Sequence, residues 1–391
     1  EELANIAHAE QFHCAVMFAD ISGFTPLAER FSSEGAVGAE KLTSTLNDYF
    51  SYLVEIVREH GGDVVKFAGD AVLAIWQDSE GSKNLAYASW RATRCGLEIQ
   101  AQLRDYEASG LPLRLRVAIG AGRVNIAHVG GVFNRWEFLL AGKPLEQVGL
   151  VSDEIEPGLV GLSSELLDLV NSVGAEPLGE EIAPGTFRVD AVGDLETRRN
   201  RPNIVLVDSQ QELLRHYLPA AITHRLDAGL AEFFGELRRL TILFVNLPDI
   251  DYATPVEKAQ ESMVALQKSG YRVEGSSNKL SVDDKGVSAL AALGLPPLAH
   301  DDDPDRGVKA AITMNKALND LGIRNSIGVS TGRVYCGVVG SQNRREYTIM
   351  GDSVNLAARL MQNADGGVLC DKTTFNRSTD EVDFSPAKEI K

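Results

Sequence analysis

The chain has 391 residues, room for two or three domains at about 150 residues each. Lys and Arg number 38 against 55 Asp and Glu, a formal charge of −17, with 44% hydrophobic and 24% charged residues. That is a folded, soluble composition: it excludes a disordered chain and argues against nucleic acid or an anionic membrane as partner.

The four cysteines, Cys14, Cys95, Cys336 and Cys370, have no C-x-x-C spacing, so they read as reduced thiols in a cytoplasmic protein without a zinc site or disulfide framework. The longest weakly polar run, Leu290 to Ala299, contains two prolines and is far short of the roughly 18 to 20 apolar residues of a spanning helix. No transmembrane segment or signal peptide is expected. Glu1 and Lys391 do not read as natural ends, which points to an excised part of a longer protein that has a C-terminal regulatory region.

In chain order, Ala15 to Asp20 is a buried strand, and the turn Ile21-Ser22-Gly23-Phe24-Thr25 leads toward a helix. The spacing predicts that helix over about Ala39 to His60, with Leu42, Leu46, Tyr49, Phe50, Leu53, Ile56 and Val57 on one face and Gly61-Gly62 as its stop. Asp63 to Trp76 reads as a hairpin turning at Ala68-Gly69-Asp70. A second helix, a strand, a hairpin and a helix complete the unit, and the polar stretch Arg198 to Asn203 closes it. Gln210 to Glu236 is helical in pattern and reads as a connector.

The unit then recurs. Gly122-Arg123-Val124 and Gly332-Arg333-Val334 lie 210 positions apart, Val129-Gly130 and Val339-Gly340 again 210, and Gly142 and Gly351 209. Thr241 to Asn246 matches the first strand. The fold class is α+β, built from one unit twice.

Two carboxylates stand out in the first copy. Asp20 ends a buried strand before a turn whose backbone N–H groups and following helix terminus can meet phosphate. Asp70 sits in the hairpin turn fifty residues on. Two such aspartates suit Mg²⁺, which takes one or two protein carboxylates beside substrate phosphates. The second copy has Asn246 in place of Asp20 and no Ser-Gly-Phe-Thr turn, but it carries Asn355 and Arg359, an i, i+4 pair behind Asp352 or Ser353 as N-cap. Counted from the shared glycine, the first copy has Glu146 and Leu150 at those positions. Such complementary losses fit one composite site between the copies and a degenerate second one.

Asp20-Ile21-Ser22-Gly23-Phe24, Lys66-Phe67-Ala68-Gly69-Asp70, Arg345-Glu346-Tyr347-Thr348-Ile349-Met350-Gly351 and Val354-Asn355-Leu356-Ala357-Ala358-Arg359 closely resemble the class III nucleotidyl cyclases, above all the tandem catalytic region of the soluble adenylyl cyclases. Leu214-Arg215-His216-Tyr217 through Leu237-Arg238 is similar to that family's inter-domain helix.

The resemblance implies two ferredoxin-like domains packed head-to-tail as a pseudo-symmetric pair within one monomeric chain. Residues 1–200 would be the metal-binding half, 201–236 the connector, and 237–391 the base and transition-state half. It implies ATP as substrate, cyclic AMP and pyrophosphate as products, and two Mg²⁺, with Mn²⁺ or Ca²⁺ an alternative at one site, held by Asp20, Asp70 and the backbone of Ile21. Ser22, Gly23, Phe24 and Thr25 would contact phosphate, with Arg123 a further candidate for the triphosphate. Asn355 would orient the ribose and Arg359 stabilise the α-phosphoryl group.

The base would be read by Lys279 and Thr348. A lysine ammonium has only donors, so it suits the acceptor N1 of adenine and not the N1–H of guanine. The rival readings are a guanylyl cyclase and a catalytically inactive nucleotide or anion sensor. Animal soluble cyclases bind bicarbonate in the degenerate site through a Lys matching Lys66 and an Arg. Gly149 stands at the Arg position here, so direct bicarbonate activation is not expected.

Overall fold

A computed structural model describes residues 7–22, 27, 30–31, 36–69, 71–77, 82–108, 110–195, 206–229, 235–283, 286–378 and 382–390. Asp70, Gly23, Phe24, Thr25 and the polar stretch 198–203 lie outside the described residues.

The first unit runs β1 (His8–Ser22), α1 (Ala36–Glu59), β2 (Asp63–Ala68), β3 (Ala71–Gln77), α2 (Ser82–Leu103), β4 (Arg114–Val132), β5 (Arg135–Gly142) and α3 (Lys143–Glu154). It is extended by β6 (Val160–Ser163), α4 (Ser164–Ser172), β7 (Leu178–Ala183) and β8 (Thr186–Ala191). The sheet order is β2-β3-β1-β4-β6-β8-β7, with β5 paired off β4. β1 is apolar throughout its middle because both faces are covered. Ala15, Met17, Ala19 and Ile21 join the core with Leu46, Tyr49 and Phe50 of α1 and Ile99 of α2, while Cys14 and Val16 pack with Leu145, Val148 and Val151 of α3.

The second unit repeats this as β9 (Glu236–Leu247), α7 (Val256–Tyr271), β10 (Ser276–Asp283), β11 (Gly286–Leu293), α8 (Asp303–Asp320), β12 (Ser326–Gly340), β13 (Arg345–Met350) and α9 (Asp352–Gln362). A short strand β14 (Val368–Cys370) and helix α10 (Lys372–Phe375) follow, and the sheet order is β10-β11-β9-β12-β13, with β14 parallel to β12. In both units the first four strands take the order 2-3-1-4, the ferredoxin-like arrangement expected.

The repeat landmarks turn out to be contacts between the units. Val129 of the first unit is buried in the core of the second, and Val339 of the second in the core of the first. The adjacent glycines are fastened the same way: Gly130 N–H donates to Gln260 Oε1 on α7 (2.7 Å), and Gly340 N–H to Asn47 Oδ1 on α1 (3.1 Å). β2 packs against β13 and β5 against β10, so each unit meets the other with the same two edges. That is the head-to-tail pair. Gly142 and Gly351, with φ of 155° and 140°, are the N-caps of α3 and α9. A Cβ on Gly142 would lie 2.7 Å from the Arg123 carbonyl oxygen, so a side chain is excluded there by contact as well as conformation.

Two expectations are corrected. The connector is not one helix but two, α5 (Asp208–Arg215) and α6 (Ala220–Asp227), interrupted before Pro219, and Glu236 already belongs to β9. α9 is capped by Gly351, not by Asp352 or Ser353, because the backbone leaves β13 directly into the helix. No described helix is long and apolar enough to cross a membrane.

Candidate active site

Asp20 stands near the end of β1, half-buried, directly across from Ala71 on β3 and from Arg116 on β4. Burial raises its carboxyl pKa, while the Arg116 charge and the N–H of Ile21 pull it down. Ala71 is the residue after Asp70, so the register sets the hairpin turn beside Asp20. The Ile21 side chain is buried in the core and its backbone pairs with Leu115; Ser22, paired with Arg114, closes the strand.

Arg123 is not brought to Asp20. It pairs with His13, seven residues along β4 from Arg116, or about 23 Å at roughly 3.3 Å per residue. Among the described residues the cation beside Asp20 is Arg116, whose Nη1 donates to the Ser152 carbonyl (3.1 Å) and whose buried Nε has no partner there. The repeat could have revealed it. At the matching register the second unit pairs Asn246 with Ser326, so the acid and its cation are lost together.

Lys279 and Thr348 are brought together by a residue not singled out in the sequence, Glu346. Lys279 Nζ lies 2.9 Å from Glu346 Oε1, with side chains 12% and 19% exposed. Glu346 is two residues before Thr348 on β13, so both point to one face, and Thr348 is fully buried. The other carboxylate oxygen of Glu346 accepts from the Phe67 N–H of β2 (3.1 Å), and Arg344 spans the same junction, donating to the Val64 and Val65 carbonyls (3.0 and 2.8 Å). The Lys279–Glu346 pair is thus fastened to β2 of the first unit. Burial alone would raise the Glu346 pKa, but Lys279, Lys66 and the Phe67 N–H outweigh it and hold it low.

The first unit carries the same set. Glu137 lies 209 positions before Glu346 and Arg135 209 before Arg344, and a bulge precedes Lys66 in β2 as one precedes Lys279 in β10. Arg135 Nη2 lies 2.8 Å from Glu137 Oε1, and Ser277 Oγ of β10 donates to the same oxygen (3.1 Å). Burial raises the Glu137 pKa despite Arg135 and Lys66. Lys66 is pushed down to about 8 by burial, opposed by Glu346. Six charges, Lys66, Arg135, Glu137, Lys279, Arg344 and Glu346, therefore line the seam between the units, all largely buried except Arg344, which is 35% exposed. Lys66 also lines a cavity of about 350 Å³ whose other walls include Phe138, Val148, Gly149 and Leu280. Gly149 has nothing within 4 Å of its missing side chain, so no cation faces Lys66 from that position.

Asn355 and Arg359 stand one turn apart on α9, both exposed, and neither side chain has a partner among the described residues. Glu146 and Leu150 occupy the same turns of α3, Leu150 being 65% exposed.

The donor chemistry suits a hard divalent cation. Asp20 is a half-buried carboxylate at a strand end, and among the described residues no group of three or more His, Cys, Asp or Glu is arranged to hold a metal ion without added ligands. Mg²⁺ needs no more than one or two carboxylates, completing its shell with water and phosphate.

A family model described as the adenylate and guanylate cyclase catalytic domain matches residues 6–177 and 305–390, well over half of the chain. The chain belongs to that cyclase family. It is 33% identical over 400 residues to adenylate cyclase type 10 of Rattus norvegicus and 32% identical over 406 to that of Homo sapiens, in each case over 94% of this chain. It spans about a quarter of the length of these curated relatives, 25% of each. Among solved structures, a class III adenylyl cyclase-like ATP-binding protein from Pseudomonas aeruginosa matches with a TM-score of 0.65 at 12% identity, covering 94% of this chain and 85% of that one. At that identity the likeness speaks for the tandem fold alone.

Proposed function

We propose that the chain is an adenylyl cyclase core, converting ATP to 3′,5′-cyclic AMP and pyrophosphate at one composite site between its two units, residues 1–200 and 237–391, joined by 201–236. The supporting observation is Glu346, which pairs with Lys279 on one side and with the Phe67 N–H on the other. One carboxylate ties the base-reading lysine to the hairpin of the metal half.

In this reading the ribose 3′-oxygen bonds to the α-phosphorus as the bond to pyrophosphate breaks in line, and the hydroxyl proton goes to solvent. Asp20 and Asp70, with the Ile21 carbonyl, would hold two Mg²⁺. When bound, such a pair supplies a more acidic hydroxyl and neutralises phosphate charge. Arg116, the cation across the sheet from Asp20, takes the triphosphate role expected of Arg123, beside the amides of Ser22, Gly23, Phe24 and Thr25. Lys279 gives one of its three donors to Glu346 and keeps two for the adenine edge, where Thr348 adds a hydroxyl. Asn355 orients the ribose, and Arg359, whose side chain has no partner among the described residues, stabilises charge building on the α-phosphoryl group.

The test is cyclic nucleotide formation by the purified chain with Mg²⁺ or Mn²⁺ and either ATP or GTP, at two protein concentrations. Cyclic AMP at a specific activity independent of concentration is the expected result. Cyclic GMP in excess would reassign the base reading, and nucleotide binding without product would make the chain a sensor.

A further inference from the structure

The two bulges carry different residues at the same place. In β2 the register shifts between Val64 and Lys66, and in β10 between Ser277 and Lys279, so Val65 and Asn278 are the extra residues. A bulge leaves its extra residue outside the ladder and re-aims it. In the first unit the outcome is plain: Val65 packs with Phe18 and Leu73 against the core beneath α3 and lines the same cavity as Lys66.

The second unit repeats the frame around Asn278. Phe18 pairs with Leu73 as Phe244 pairs with Leu290, and Lys66 pairs with Leu73 as Lys279 pairs with Leu290. Leu290 and Phe244 pack with Val354 of α9, the helix of Asn355 and Arg359. The same bulge therefore sets Asn278 beside Lys279 on the face that α9 covers.

Asn278 is 8% exposed, and neither its Oδ1 nor its Nδ2 has a partner among the described residues. The fold does not ask for this amide, since the twin bulge holds a valine, and leaving both its ends unpaired in the interior costs stability. The amide is as enclosed as the Lys279 ammonium, so whatever uncovers the lysine for a base uncovers its neighbour too. An amide presents an acceptor and a donor side by side. That matches the 6-amino group and N7 of adenine, whereas guanine offers two acceptors there, O6 and N7, and the amide oxygen meets one of them in either orientation. We propose that Asn278 is a specificity-determining residue, its Oδ1 accepting from the 6-amino group of adenine and its Nδ2 donating to N7 while Lys279 meets N1. This rests on the cyclase reading, in which Lys279 meets the base.

The experiment measures, by calorimetry with Mg²⁺, the binding of α,β-methylene-ATP and of the matching purine riboside analogue to the full chain and to Asn278→Val. The purine riboside analogue keeps N1 and N7 and has no 6-amino group. Wild type should bind the ATP analogue at least about tenfold tighter than the other. Asn278→Val should bind the ATP analogue at least about tenfold more weakly than wild type does, and the two analogues within about threefold of each other. Its unfolding midpoint in urea should lie at or above that of wild type, because the change removes an unpaired amide from a bulge that accepts valine. A wild type with no preference, or a preference undiminished in Asn278→Val, overturns this proposal alone and leaves the cyclase reading standing. A lowered midpoint with the preference kept makes Asn278 a structural amide and overturns it as well. Binding of neither analogue by wild type overturns this proposal and the cyclase reading together.

Discussion

At one register position the first unit sets Asp20 against Arg116, and the second sets Asn246 against Ser326. Eight residues past the glycine that caps α3 and α9, the first unit has an exposed Leu150 and the second Arg359. Between these sites the units agree again, each with a lysine just after a bulge and an Arg-x-Glu. The difference separates two kinds of residue: the repeated ones hold the seam that both units share, whereas the divided ones are not required by the fold and, in the reading proposed above, serve one site made by both units.

The comparison can be broken most severely at the divided positions. Asp20→Ala and Arg359→Ala should each lower turnover by about a thousandfold or more, with ATP affinity kept in the second, while Leu150→Ala, at the mirror position, stays within about twofold. An active Arg359→Ala would remove the composite site. Next in size, Arg116→Ala should cost about a hundredfold in kcat/KM and Arg123→Ala less than about threefold; the reverse ranking would restore the triphosphate role to Arg123.

The repeated positions give smaller effects on stability. Val129→Ala and Val339→Ala each empty a place in the other unit's core, so each should lower unfolding free energy by about 1 to 3 kcal/mol in chemical denaturation, with the losses alike for the two. A large loss at one and none at the other would mean that the exchange is one-sided. The slightest effect concerns Lys66. Its folded pKa of about 8 lies below the ordinary lysine value of 10.5, so the unfolded chain binds more protons between those values, and stability must rise as pH climbs through that window. Measured by denaturant unfolding from pH 7 to 10, wild type should gain relative to Lys66→Gln above pH 8; parallel curves would show an ordinary lysine.

Much of this organisation is legible in the sequence because a duplication supplies its own control. The offsets of 210 and 209 pointed to Val129, Val339, Gly142 and Gly351 before any contact was known, and packing explains each of them: the valines cross the seam and the glycines turn strands into helices. The proposed composite site draws on the same control. Arg116 was missed because Gly122-Arg123-Val124 is the more visible repeat, whereas a residue's neighbour across a sheet depends on register, which only the pairing of β1 with β4 supplies. Glu346 and Glu137 were missed because their partners are set by bulges in β10 and β2 that local composition does not signal. The break in the connector had a signal in Pro219, whose ring removes a helix-continuing N–H.

The core under α1 is completed by Tyr335, Val339 and Met350, residues more than two hundred positions downstream of the strands they cover. During synthesis the first unit therefore leaves the ribosome with an open apolar face and must wait for the second before it can close. A protein assembled this way matures late and all at once, and a chain cut at the connector yields two halves that each lack part of an interior.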